Sequence, residues 1–308
     1  MQQLAINGLK RSYALHAPAR RTKIFLPLVL LFHGRGTNGR VILSRTGFAA
    51  KADAKQFIVA APDGVNGRWN DGRGTVNPGI DDVGFVKQLV ASLKSQLPVD
   101  ATRIYAAGIS NGGLFTQRLA CEFSDVLAAV ATVAGPLPTN LAQSRPDPMS
   151  VVGIQGDADP RVPIDGTRAE RGGGQLESAV NTMKFWASIN ACDPNPTVTH
   201  LEPTVNDGTR VDKYTYSGGS ADLVYYIVRG MGHAWPPNPG GENGRESGLT
   251  SRNIDATDVI WNFLHQHSRL PTEVKVVAAG PARPFAELGK HRRRAKGRQN
   301  RLIEREPR

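Results

Sequence analysis

Arg103-Ile104-Tyr105-Ala106-Ala107-Gly108-Ile109-Ser110-Asn111-Gly112-Gly113 is the stretch on which the reading of the chain turns. An apolar run of strand type, Arg103–Ile109, carries Gly108-x-Ser110-x-Gly112 at its end, and helical periodicity begins at about residue 112. A serine on such a sharp strand-to-helix turn adopts a strained backbone that needs tiny residues two positions away on each side. Gly108 and Gly112 supply them, and Gly113 lets the following helix pack close. Ser110 is thereby a candidate nucleophile. The backbone N–H of Asn111, at the positive end of the helix, is a candidate donor to an oxyanion.

Outward from this turn, further strand-like runs lie at Leu26–Phe32, Phe57–Ala61, Val126–Val133, Met149–Ile154 and Leu223–Val228. Asp81-Asp82 can cap a helix running to about Leu97, with Val86, Leu89, Val90 and Leu93 at three- and four-residue steps. More helices are expected at about 112–123, 175–190 and 253–267. Strands alternating with helices of this length predict an α/β fold, a mostly parallel sheet with helices on both faces. Segments rich in Gly, Pro, Asn and Asp at 62–80, 155–174 and 235–250 fall at strand ends, where the sites of such folds gather.

The 308 residues are 40% hydrophobic and 21% charged, ordinary globular values that allow one large core. Net charge is +11, but residues 271–308 hold 11 of the 38 Lys/Arg and only 4 of the 27 Asp/Glu, leaving 27 against 23 in residues 1–270. The expected organisation is one α/β domain over 1–270 and a basic, disordered tail over 271–308. That tail is either a solvated extension or a weak binder of anionic polymers. Ile24–Phe32 is too short to span a bilayer and reads as a buried strand. With no membrane span and no export signal visible, the default compartment is cytoplasmic. Cys121 and Cys192 are too few for a disulfide scaffold, their pairing is not readable from spacing, and no zinc spacing occurs, so no metal or cofactor is expected.

A serine hydroxyl needs a histidine to take its proton and a carboxylate to orient that histidine, in the chain order Ser, acid, His. Asp157 and Asp159 lie in the loop after Met149–Ile154, and either could face the site. Of seven histidines, only His233 sits in a glycine-flanked turn after a late strand, within Gly230-Met231-Gly232-His233-Ala234-Trp235-Pro236. His33-Gly34-Arg35-Gly36 follows an early strand and could lend the Arg35 amide to an oxyanion hole. The same residues begin Gly34-x-Gly36-x-x-Gly39, with Asp63 24 residues beyond Gly39, the outline of a dinucleotide-binding oxidoreductase. That rival leaves the motifs at Ser110, Asp157/Asp159 and His233 unexplained.

These residues, with Trp69-Asn70-Asp71-Gly72, Asp81-Asp82-Val83-Gly84-Phe85, Phe185-Trp186-Ala187 and Asn190, span about 30 to 270. Together they resemble the polyhydroxybutyrate depolymerase-like esterases of the α/β-hydrolase superfamily, which include feruloyl and acetylxylan esterases. The resemblance implies carboxylic ester hydrolysis through an acyl-enzyme: Ser110 acylated, His233 as general base then acid, Arg35 and Asn111 supplying oxyanion amides. The family's acid loop, His-Gly-Thr-x-Asp-x-x-Val-Pro, selects Asp159 and leaves Asp157 as backup, although Gln155 and Asp157 stand where it has His and Thr. Trp69 and Trp235 are candidates to line the substrate site, with ordinary packing as the bland alternative. Small esters or oligoesters are the expected substrates, and the resemblance suggests secretion. An acyltransferase, and a catalytically inactive hydrolase-like binding protein, are the remaining alternatives.

Overall fold

Seven consecutive apolar residues, Leu26–Phe32, form a comfortable strand only if both its faces are covered. The computed structural model, which describes residues 2–6, 9–19, 25–166, 174–238 and 247–269, meets that condition. Leu28, Leu30 and Phe32 enter one core cluster, while Val29 and Leu31, pointing the other way, enter a second.

The elements in chain order are β1 (Gln2–Ile6), β2 (Leu9–His16), β3 (Leu26–Phe32), α1 (Gly39–Arg45), α2 (Phe48–Lys55), β4 (Ile58–Pro62), α3 (Asp82–Gln96) and β5 (Val99–Ile109). There follow α4 (Asn111–Glu122), β6 (Ala129–Val133), β7 (Ser150–Gly156), α5 (Ala179–Ile189), β8 (Thr197–Leu201), β9 (Arg210–Tyr216), β10 (Leu223–Arg229) and α6 (Ala256–Leu264). The sheet order is β1-β2-β4-β3-β5-β6-β7-β10-β9-β8. Its central run, β4 to β10, is parallel; β1 and β2 on one flank and β9 and β8 on the other are antiparallel. Helices α3, α4 and α5 cover one face through residues such as Val86, Phe115 and Trp186. Helices α1, α2 and α6 cover the other through Ile42, Phe48 and Trp261.

The α/β expectation is met, and each predicted apolar run coincides with a central strand. The flanking strands and the short α1 and α2 were not read. β8 is largely exposed and polar, so it carries no apolar run to detect. Helix starts follow capping chemistry: Asp81, Ser178 and Asp255 accept the amides of Gly84, Asn181 and Asp258 at 2.8, 2.9 and 3.0 Å. Cys121 and Cys192 are free thiols, and burial pushes the Cys121 thiol up to about 12. Among the described residues no helix is long and apolar enough to cross a membrane. The basic segment 271–308 lies outside the described residues.

Beneath the future site, Arg11 on β2 donates to Asp82 Oδ1 at 2.7 Å, with both side chains almost wholly buried. Asp82 Oδ2 accepts the Asn70 amide at 2.7 Å, and the Arg11 guanidinium sits 4.0 Å over the Phe85 ring. Desolvation raises the Asp82 carboxyl despite the Asn70 amide and Arg11. Breaking a buried pair strands a charge, at a cost of about 3–5 kcal/mol. Arg11→Met is therefore expected to lower the urea midpoint by that amount of stability at unchanged slope, and Arg11→Met with Asp82→Leu to recover part of it. A loss below about 1 kcal/mol in the single variant would contradict the assignment.

Candidate active site

Ser110 joins β5 to α4 with φ 56° and ψ −127°, a conformation that L-residues rarely hold. The surroundings impose it. The Ser110 amide donates to Val133 O on β6 at 2.9 Å, and its own carbonyl begins α4 by accepting from Leu114. A Cβ at Gly108 would lie 2.4 Å from Gly112 O, and one at Gly112 would lie 2.3 Å from Phe32 O and 2.5 Å from His33 O. A Cβ at Gly113 would lie 3.1 Å from Gly135 Cα, and one at Gly135 would lie 2.7 Å from Gly113 C. The glycines expected to permit the turn are thus required by backbone-to-backbone contact.

The loop after β3 is tied down from below. His33 Nε2 accepts the Gly64 amide at 2.9 Å and its Nδ1 lies 2.7 Å from Gly34 O. An acceptor at Nε2 and a donor at Nδ1 define one neutral tautomer. Burial lowers the His33 pKa, only partly offset by the Gly34 carbonyl. Trp69 Nε1 donates to His33 O at 3.0 Å. The Trp69 ring is fully buried, stacked on Phe115 at 5.0 Å and edge-on to Phe32. This corrects its candidacy as a substrate-lining residue: Trp69 is a core residue under the loop after β3.

The Asn111 side chain grips the same segment, accepting from the Trp69 amide at 2.8 Å and donating to Trp69 O at 3.0 Å and Asp71 Oδ2 at 2.5 Å. Asp71, fully buried, is held in turn by Arg73 at 2.7 Å. The first turn of α4 is thus locked to the Trp69–Arg73 loop, and the Asn111 amide is held at the helix start beside Ser110. Neither the Asn111 side chain nor Asp71 was singled out in the sequence, although Trp69-Asn70-Asp71-Gly72 was visible as a motif. The pairing across 40 residues was the missing signal.

Parallel neighbours β7 and β10 bring the acid loop and the histidine loop together. Asp159 Oδ2 lies 2.7 Å from His233 Nδ1, both side chains buried, while Oδ1 accepts the amides of Arg161 and Val162 at 2.8 and 2.9 Å. Asp157 does not reach His233. Its Oδ1 accepts the Gly230 amide at 2.6 Å and its Oδ2 lies 3.4 Å from Arg229. Ser110 and His233 line one cleft of about 520 Å³, open mouth included, with Gly34, Val41, Ile42, Ile109 and Trp235 among its walls. Arg35 immediately follows Gly34 of that wall. Among the described residues no cluster of potential metal ligands occurs.

The profile of the family described as Esterase PHB depolymerase matches residues 11–188. The chain belongs to this esterase family. It is 30% identical over 280 residues to NocK of Nocardia uniformis subsp. tsuyamanensis, named as an esterase, covering 85% of this chain and 81% of that protein. It is 27% identical over 242 residues to feruloyl esterase C of Emericella nidulans, covering 77% and 76%. In structure it is similar to the acetyl xylan esterase from Aspergillus awamori, with a TM-score of 0.57 at 16% identity over 76% of this chain and 94% of that one. That likeness supports the α/β-hydrolase fold. Membership of the PHB depolymerase esterases makes the chain a carboxylic ester hydrolase by class and disfavours the dinucleotide reading. The geometry supplies a physical reason. Asp63, which that reading needed for a ribose, is occupied internally by the Gly39 amide at 2.7 Å and by Ser12 Oγ, and a Cβ at Gly39 would strike Ala61 O.

Because His33 is neutral and desolvated when folded, the unfolded chain binds its proton more readily. Stability linked to His33 is complete above an unfolded pKa of about 6.5 and falls as pH drops toward the lowered folded value, by at most about 1.4 kcal/mol per pH unit. Urea unfolding at pH 7.5 and 5.5 should show a smaller acid loss in His33→Gln than in the wild type. Equal losses would rule out His33 as a source.

Proposed function

We propose that this PHB depolymerase-family esterase hydrolyses carboxylic esters through an acyl-enzyme, with Ser110 as nucleophile, His233 as general base then acid, and Asp159 as the carboxylate that orients His233. The observation that carries the reading is the 2.7 Å Asp159–His233 contact beside a cleft that His233 shares with Ser110. Ser110 Oγ attacks the ester carbonyl carbon while its proton passes to His233 Nε2, and the backbone amides of Arg35 and Asn111 receive the oxyanion. Collapse breaks the bond to the alcohol, which leaves with the proton from His233. A water molecule, deprotonated by the same imidazole, then attacks the acyl carbonyl; the bond to Ser110 Oγ breaks, Ser110 regains its proton from His233, and the acid is released. Asp159, its other oxygen engaged by two amides, keeps Nδ1–H directed at itself and stabilises the imidazolium.

The cleft walls Val41, Ile42, Ile109 and Trp235 favour a small ester or oligoester with an apolar substituent. The Trp235 ring is held by its own N–H, which donates to Thr257 Oγ1 at 3.0 Å, and so presents a fixed apolar surface. We assign this activity to residues 1–270. The inactive-binding-protein and acyltransferase readings part from it at turnover and at the choice of acceptor.

Hydrolysis of p-nitrophenyl butyrate decides the matter. Ser110→Ala is expected to lose about 10⁴–10⁶ in kcat and Asp159→Asn about 10⁴, with the fold retained. Wild-type rates in Ser110→Ala would dismiss the triad, and an inactive wild type would favour the binding-protein reading.

A further inference from the structure

The acid and histidine loops leave adjacent parallel strands, and their relative position decides whether Asp159 meets His233. Their backbones already touch: the Ala158 amide donates to Met231 O at 3.0 Å and the Asp157 amide to Val228 O at 3.2 Å. A Cβ at Gly156 would lie 2.2 Å from Met231 O. Across this seam Asp157, two residues before Asp159, places Oδ1 2.6 Å from the amide of Gly230, three residues before His233. Its Oδ2 faces Arg229 Nη1 at 3.4 Å. Arg229 Nε donates to Asp212 Oδ2 on β9 at 2.8 Å, and Asp212 Oδ1 lies 2.7 Å from His200 Nδ1 on β8. Desolvation opposes it, but the hydrogen bonds from His200 and Arg229 hold the Asp212 carboxyl below the usual range, and Asp212 raises Arg229 in turn.

We propose that Asp157 is a positioning residue: with Arg229 and Asp212 it buckles the acid loop to the histidine loop and holds Asp159 in register with His233. The aspartate at a position where the family pattern carries threonine has a physical rationale in this arrangement. A hydroxyl has one oxygen, whereas the carboxylate bridges an amide and a guanidinium at once. Anchoring through β9 and β8 ties the loops to the antiparallel flank of the sheet. Misplacement of a reacting group by about 1 Å can cost about 10²-fold, so the buckle acts on turnover without touching substrate. The proposal rests on the Ser110–His233–Asp159 reading.

The experiment compares the full chain carrying Asp157→Ala, Asp157→Asn or Ser110→Ala with the wild type, using p-nitrophenyl butyrate and the downfield proton resonance of the His233 Nδ1–H facing Asp159. Asp157→Ala should lower kcat by about 10–100-fold with KM within about twofold. The resonance should weaken or shift, because the Nδ1–H no longer faces a fixed carboxylate oxygen. Asp157→Asn, which keeps an oxygen for the Gly230 amide, should restore most of kcat and the resonance. Wild-type turnover in Asp157→Ala, or a fall in kcat with the resonance unmoved, overturns the proposal. If Asp157→Ala does not fold, Asp157→Thr is read by the same resonance, and an unperturbed signal with wild-type kcat overturns it equally. Wild-type activity in Ser110→Ala would remove the triad reading and the proposal with it; an inactive Ser110→Ala beside a wild-type-like Asp157→Ala removes the buckle alone.

Discussion

The close approach of four backbone segments around Ser110 is the constraint from which the rest follows. Gly108 on β5 faces Gly112 on α4, Gly112 faces the carbonyls at the end of β3, and Gly113 faces Gly135 beyond β6. At Gly108, Gly112 and Gly135 a Cβ would come within 2.7 Å of neighbouring backbone, closer than a side chain can sit. The strained Ser110 backbone persists because these contacts leave it no alternative, in keeping with strain that is over-determined by its surroundings. The same contacts bring the loop after β3, which carries Gly34 and Arg35, to the start of α4. The Ser110 turn is a property of backbone packing before it is a property of side chains.

A buried polar layer holds that arrangement from beneath. Arg11, Asp82, Asn70, Trp69, Asn111, Asp71 and Arg73 form a connected set in which the charged members are paired and the donors to the loop are directed. Unpaired, any of these charges would be costly at such depth. Paired, they lock the loop 69–73 against α4 and, through Trp69 Nε1, against the carbonyl of His33. The histidine and acid loops have a different support, from β10 and β7 below and from Asp157 and Arg229 at the side. The two halves of the candidate site therefore rest on different polar groups and come together at the cleft, where Asn238 beyond the histidine loop also donates to Arg45 O of α1.

Legibility followed local periodicity. The central strands were visible because burial on both faces makes each an uninterrupted apolar run, as in β3, β5 and β10. The edge strand β8 was not, since Thr197 to His200 face solvent. The Gly-x-Ser-x-Gly turn was readable because its glycine requirement is local. The resemblance to the family's acid loop selected Asp159, while the residues by themselves left Asp157 open as well, since both sit on one turn and differ in which neighbour each meets. Trp69 and Trp235 looked alike as loop tryptophans, yet one is enclosed by Phe32 and Phe115 while the other lines the cleft.

By itself the sequence determined the α/β class, the positions of the central strands, the Ser110 turn and the candidacy of His233, because each depends on residues within a few positions of one another or on periodicity along one element. The tertiary structure alone showed the Asp159–His233 contact and turned Asp157 to Gly230 instead, and it alone decided that Asn111 reaches Asp71 and that Trp69 is core. Those are contacts between residues 37 to 74 positions apart, set by which strands lie side by side in the sheet, and neighbourhood of that kind is written in no single stretch of chain.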